Sequence, residues 1–201
     1  IHTFAAIGAH LKGANLEGAT LTQAQLAQAD LTEIDAGGVN LSKADLQECN
    51  LTSAQLVGAN LSESKLSRAN LHEANLTGAS LDEAILSEAD LTGAILDHIS
   101  LKGVNLSHTK LNGASLQSVD LASANLSYTE LIGAQLSDTI LTHANLSNAQ
   151  LDDSLCQRLE ATQLQLHNAS AERADFSEST LRSIQATGLQ ARSSRWRRGV
   201  L

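Results

Sequence analysis

Val39-Asn40-Leu41-Ser42-Lys43-Ala44-Asp45-Leu46-Gln47-Glu48-Cys49-Asn50-Leu51-Thr52 places a leucine at every fifth residue, and that interval decides the fold. Outward from this stretch, every fifth residue from Leu11 through Leu151 is leucine, with Ala36 the only exception among 29 positions. Two residues before each of these centres stands a small residue, alanine in 19 of the 29, as in Ala14-Asn15-Leu16 and Ala69-Asn70-Leu71. One residue after the centre Ser or Thr recurs, as at Thr22, Ser62, Thr77, Ser107 and Ser147. An α-helix would rotate successive leucines by about 140° and scatter them around the cylinder. A straight strand would send them to alternate faces, because five is odd. What remains is a chain that turns a corner every five residues, with the small residue and the leucine of each unit pointing to one axis.

The unit of a small residue, Asp or Asn, Leu, Ser or Thr, and a variable residue resembles the pentapeptide-repeat family, over nearly the whole chain. The resemblance implies an all-β, right-handed quadrilateral parallel β-helix, a solenoid with four units and 20 residues per coil. The larger inner residues Ile99, Thr109, Val119, Thr129 and Thr139 recur every ten residues, which requires an even number of units per coil if like is to stack on like. After Leu151 the motif fades but the register persists through compensating volumes: Leu159 with Ala161, Ile184 with Ala186 and Leu189 with Ala191, as earlier Phe4 with Ala6 and Ile34 with Ala36. A packed interior demands such exchanges. One domain over 1–193 of about nine to ten coils follows, roughly 45 Å long at the ~4.8 Å strand spacing, with 194–201 as a basic tail. Leu151, Leu155 and Leu159 after Asp152 and Asp153 leave a short helix over 152–167 as an alternative. Asn105, Asn125 and Asn145 fall one coil apart and suggest an amide ladder. The glycines Gly13, Gly18, Gly58, Gly78, Gly93, Gly103, Gly113 and Gly133 suit corners of positive φ.

Composition agrees with a duplicated unit: aromatics are 2% and Pro and Met are absent. No run has the apolar length of a membrane span, so a soluble protein is expected, in a bacterial cytoplasm, or in a periplasm or lumen if a targeting segment was removed. The chain opens on Ile1, which points to a processed N-terminus or to a piece of something longer.

Reactive chemistry is not apparent. The Ser and Thr hydroxyls recur with the repeat, without a base recurring beside them. His10 and His72, and likewise His108 and His167, share a side but lie three coils or roughly 14 Å apart, too far to share a metal, and His98 and His143 sit on other sides. Cys49 and Cys156 read as small buried residues about five coils apart that cannot be bridged. The glycines follow the period of five and form no phosphate loop. No enzyme, metal or cofactor is expected.

Charge is uneven. The formal charge is −9, yet residues 1–151 hold 16 acids against 6 bases while 182–201 hold five arginines and no acid. Sorted by side of the coil, −10 of the −13 carried by residues 1–191 falls along one edge, which includes Asp30, Glu33, Glu73, Asp90, Asp97, Glu130, Asp138, Asp152 and Asp153. An interior set by repetition beside a varied exterior suggests a non-enzymatic scaffold for protein–protein interaction, with this edge as the candidate contact. Some members of the family it resembles protect DNA gyrase from quinolones, and an acidic rod is thought there to imitate duplex DNA. That makes a DNA mimic acting on gyrase or topoisomerase the alternative, and an acidic body is not expected to bind nucleic acid directly. A duplex 45 Å long carries roughly 26 phosphate charges, far more than this edge. The tail residues Arg192, Arg195, Trp196, Arg197 and Arg198 are a second candidate, for contact with an anionic partner or for capping the last coil. Open coil ends also suggest end-to-end association of copies.

Overall fold

The computed structural model describes residues 4–196. With one exception, between Ser80 and Ser100, the residue before a centre bridges, in parallel, the residue 20 positions on: Asn15 with Asp35, Asp45 with Lys65, Asn125 with Asn145. Five residues per side and 20 per coil give four sides, so the chain forms the right-handed quadrilateral β-helix that the family resemblance implied. The first side carries the centres Leu11 and Leu31, the second Leu16 and Ala36, the third Leu21 and Leu41, the fourth Leu26 and Leu46. The last bridge joins Asp175 to Arg195, two residues beyond the boundary drawn at 193.

Local chemistry makes each corner. The side-chain oxygen of Asp or Asn before the centre accepts the N–H two residues on, as Asn40 does from Ser42 and Asn70 from His72. This Asx turn bends the chain at the centre. Two residues past the centre, φ lies between 52° and 77° in every unit from Ala6 to Ala191, at eleven glycines and 27 residues with side chains. Such a conformation costs an L-residue about 1 kcal/mol, offset by the cross-coil bond that most corner N–H groups make, such as Ser53 N–H to the His72 carbonyl at 2.8 Å. Glycine is therefore permitted at the corner and not required there.

Leucines and alanines fill the interior. From Ala24 to Leu181 nearly every centre and inner residue is buried, including Ile34 with Ala36 and Leu159 with Ala161. Phe4 departs from the volume rule: it is 50% exposed at the open first coil. The helix considered over 152–167 does not form, and no helix occurs among the described residues. Cys156 and Leu159 point inward and are buried, whereas Leu155 precedes a centre and faces solvent at 44% exposure, so the apparent helical stripe is split between inside and outside. Here β1 (Glu160–Thr162) pairs in parallel with β2 (Thr180–Arg182).

The corner between the second and third sides takes two forms. Ala19, Val39, Ala59 and Ala79 each donate their N–H to the centre three residues back, at 2.9–3.2 Å. Ile99, Val119, Thr139 and Leu159 do not make this bond. Side chains from the next coil substitute in part: Thr139 Oγ1 donates to the Leu116 carbonyl, and Ser179 Oγ accepts from Leu159 N–H and donates to the Cys156 carbonyl. Where the two forms meet, the bridge expected between Ser80 and Ser100 is missing, and the N–H groups of Gly78, Leu81, Glu83 and Ser100 lack the cross-coil backbone bonds made elsewhere.

Candidate interaction surface

The nine acidic residues of the edge do share the first and second sides, but they are not a bare row of charge. Asp138 is bound by Arg158 and Asp153 by Arg173, each pair reaching 2.6 Å, while Glu33 lies 3.5 Å from Lys12 and Asp90 3.5 Å from Lys110. Hydrogen bonds from these arginines hold the Asp138 and Asp153 carboxyls below the ordinary carboxylate range. Asp97 accepts from Ser115 Oγ and Gln117 N–H, and Asp152 from Ser170 Oγ and Glu172 N–H, stapling one coil to the next. Glu130 accepts from Asn112 Nδ2, and Asp30 closes an Asx turn with Thr32. Glu73 has only His72, at 3.6 Å, beside it. Four of the nine thus face Lys or Arg, and four more serve hydrogen bonds that shape the coil. Glu73 remains the freest of them.

At the C-terminal end Trp196 is itself a centre, one coil after Phe176. The two rings stack with centroids 4.3 Å apart and 10° between planes, and the indole N–H donates to Ser194 Oγ. Trp196 therefore continues the second side's stack over Phe176. Arg195 reaches Asp175 at 3.9 Å; Arg192 is exposed; Arg197 and Arg198 lie outside the described residues.

The fourth side carries features that composition did not flag. His108 and Tyr128, two residues past successive centres, stack with centroids 4.8 Å apart and 3° between planes, and Tyr128 is 54% exposed. Asn125 Nδ2 donates to Asn105 Oδ1, one rung of the amide ladder, while the oxygens of Asn125 and Asn145 are taken by the N–H groups of Ser127 and Ser147.

Burial pushes the Cys49 thiol up to about 11 and the Cys156 thiol to about 12, so neither offers a thiolate at neutral pH. Among the described residues no three His, Cys, Asp or Glu side chains converge on a metal-sized site. A groove on the third side is lined by Thr142, Glu160, Ala161, Thr162, Thr180 and Arg182, one carboxylate and one guanidinium among hydroxyls. Among the described residues no helix is long and apolar enough to cross a membrane.

Comparison with known proteins agrees with this geometry. A family model described as pentapeptide repeats matches in eight copies, across residues 6–35, 29–68, 64–103, 84–121, 99–134 and 120–155. The crystal structure of HetL, a pentapeptide repeat protein involved in heterocyst differentiation regulation from the cyanobacterium Nostoc sp. strain PCC 7120, superposes with a TM-score of 0.94 at 33% identity, covering 98% of this chain and 88% of that one. A trypsin-treated form of QnrB1, a plasmid-mediated fluoroquinolone resistance protein, matches with a TM-score of 0.59 at 16% identity, covering 94% and 89%. Its likeness is one of fold. A search of curated proteins finds no match.

Proposed function

The chain belongs to the pentapeptide-repeat family, and from that footing we propose that it is a non-enzymatic scaffold whose rigid sides bind a protein partner. The observation that carries this reading is the division of labour within each unit. Its two inward positions are buried nearly throughout from Ala24 to Leu181, and the other three positions of each unit point outward from a stiff, hydrogen-bonded side. A surface fixed in this way loses little conformational freedom on binding. The similarity to HetL, a regulatory protein, supports action through contacts rather than through chemistry. Capture of partners from the native cell by the wild-type rod, against a rod carrying Glu73→Lys, Asp97→Lys and Glu130→Lys, tests the acidic edge. Loss of a partner with the triple variant supports the edge as the contact. Equal capture removes the edge, and capture of nothing by either rod removes the scaffold reading.

The alternative is a DNA mimic that acts on gyrase or topoisomerase. The −10 edge and the fold shared with QnrB1 favour it. Four of the nine edge carboxylates, however, already face a lysine or arginine, which lowers the field that a phosphate-binding groove would read. A supercoiling assay decides: inhibition or protection of the enzyme at micromolar rod supports mimicry, and no effect ends it.

A further inference from the structure

Five consecutive coils of the fourth side carry no charged residue. The units centred on Leu106, Leu126, Leu146, Leu166 and Ala186 present only Asn, Gln, Ser, Thr, His, Tyr and Gly outward. The preceding coils of the same side hold Asp45, Glu48, Lys65, Arg68 and Glu88. Depletion of charge marks the core of protein interfaces, and tyrosine with serine and asparagine is the composition of antibody-type contact surfaces. Tyr128 is exposed yet lies flat against His108, so it is an aromatic anchor with little freedom left to lose. The Asn105–Asn125 amide bond and the Asx turns at Asn125 and Asn145 hold the neighbouring carboxamides in place as well.

Two properties of this strip restrict what can cover it. It offers no charge to compensate one on a partner, so a charged occupant would be desolvated without return. Its units repeat at the coil spacing of about 4.8 Å, so only a surface of the same period can meet every unit in the same way. A second copy of the strip is neutral and has that period by construction.

We propose that two copies of the chain associate through this strip, antiparallel, about a two-fold axis at the unit centred on Leu146. This axis sets Leu106 opposite Ala186 of the second copy, Leu126 opposite Leu166, and Leu146 opposite itself, so that neutral units meet neutral units throughout. An axis one coil earlier would lay Glu88 over the uncharged Leu166 unit. The strip is about 24 Å long and offers about fifteen outward positions, fewer than the 20–30 residues of a standard interface. The dimer is therefore weak, forming between upper micromolar and millimolar protein.

Sedimentation velocity over a micromolar to millimolar series tests this, on the wild type, on Ser147→Arg at the axis, and on Ser137→Arg on the opposite side, with circular dichroism to check each fold. The expected result is a weight-average mass rising toward twice the monomer for wild type and Ser137→Arg, little changed by added salt, and a constant monomer for Ser147→Arg. Oxidative cross-linking gives a second readout, because Cys49 and Cys156 are buried. Ser147→Cys forms a disulfide with itself, whereas Ser107→Cys cross-links to a Thr187→Cys chain in preference to its own copy. A wild type that stays monomeric at millimolar protein overturns the proposal. So does association that Ser147→Arg leaves intact, which would place the contact elsewhere, the coil ends included.

Discussion

The coils up to Ala79 and those from Ile99 to Leu159 share one leucine stack and differ at one corner. Up to Ala79 that corner is lined mostly by alanine and closed by a backbone turn bond; from Ile99 to Leu159 the lining is Ile, Val, Thr and Leu and the bond is gone, to return at 3.4 Å with Ser179. The five-residue motif thus permits two corner shapes, and each stacks on its own kind. The missing Ser80–Ser100 bridge falls where one shape is stacked on the other. In a solenoid whose stability is a sum over neighbours, the cost of a change of shape stays local to the step at which it occurs.

The largest effect should come from the inner volume that both halves conserve. Ile34 and Ala36 are both fully buried, so Ile34→Ala should cost about 2–5 kcal/mol through the cavity it leaves. Ala36→Leu alone should cost about 1–3 kcal/mol by overpacking. The double exchange should recover most of both losses, as coupling in urea unfolding curves. Costs that simply add would show that the two positions do not share one volume.

Next come the hydroxyls that stand in for the lost turn bond. Leu116 receives no backbone bond from Val119, and Thr139 Oγ1 is its donor. Leu126 accepts from Thr129 Oγ1 and keeps Thr129 N–H at 3.3 Å as well. Thr139→Val should therefore cost about 1–3 kcal/mol by leaving a buried carbonyl unpaired, and Thr129→Val about 1 kcal/mol or less. Equal losses in chemical denaturation would mean that the corner's shape does not matter to its polar groups.

These contrasts also show what could be read without coordinates. The coil period follows from leucine at an odd interval, and the interior from volume exchange, because both are constraints on each unit by itself. Leu155 and Leu159 kept a helix alternative open, since Leu151, Leu155 and Leu159 also stand at helical spacing and the motif that would decide for the coil has faded there. Positive φ at 27 corners without glycine was hidden, because the cross-coil ladder imposes it against local preference. Trp196 was read with its arginine neighbours as tail, although its interval of 20 from Phe176 marks it as a centre. The neutral strip of the fourth side vanished when charge was summed over the whole side, for Asp45, Glu48 and Glu88 nearly cancel Lys65 and Arg68 there. The open step at Ser80 and Ser100 depends on which coil rests on which.

That step should be visible, with a smaller net effect on stability. The amides of Gly78, Leu81, Glu83 and Ser100 should exchange hydrogen faster than that of Leu61 or Leu121, whose cross-coil bonds are intact. Ile99→Ala gives up buried volume yet restores an alanine above Ala79. Its loss should be cut by the bonds regained, each worth about 0.5–1.5 kcal/mol, to less than that of Ile34→Ala, and the Leu81 amide should gain protection. A Leu81 amide that exchanges as slowly as Leu121 in the wild type would close the supposed gap.

The smallest effect concerns Asp175, only 8% exposed, in the coil beneath the Trp196 cap. Burial alone would raise its pKa, but hydrogen bonds from the Ser177 hydroxyl, the Gln157 carboxamide and the Ser177 N–H, together with the Arg195 charge, bring it below the ordinary 3.8. A carboxyl whose folded pKa is lowered adds stability that is present above 3.8 and fades as pH falls through the folded value. The wild type should therefore lose stability below about pH 4 more steeply than Asp175→Asn, with the two curves parallel above pH 5. The difference should be confined to the C-terminal cap, read as loss of Trp196 fluorescence contrast before the rest of the rod unfolds. If the two proteins instead lose stability in parallel down to pH 2, the carboxylate is not what ties the last coil to the one before it.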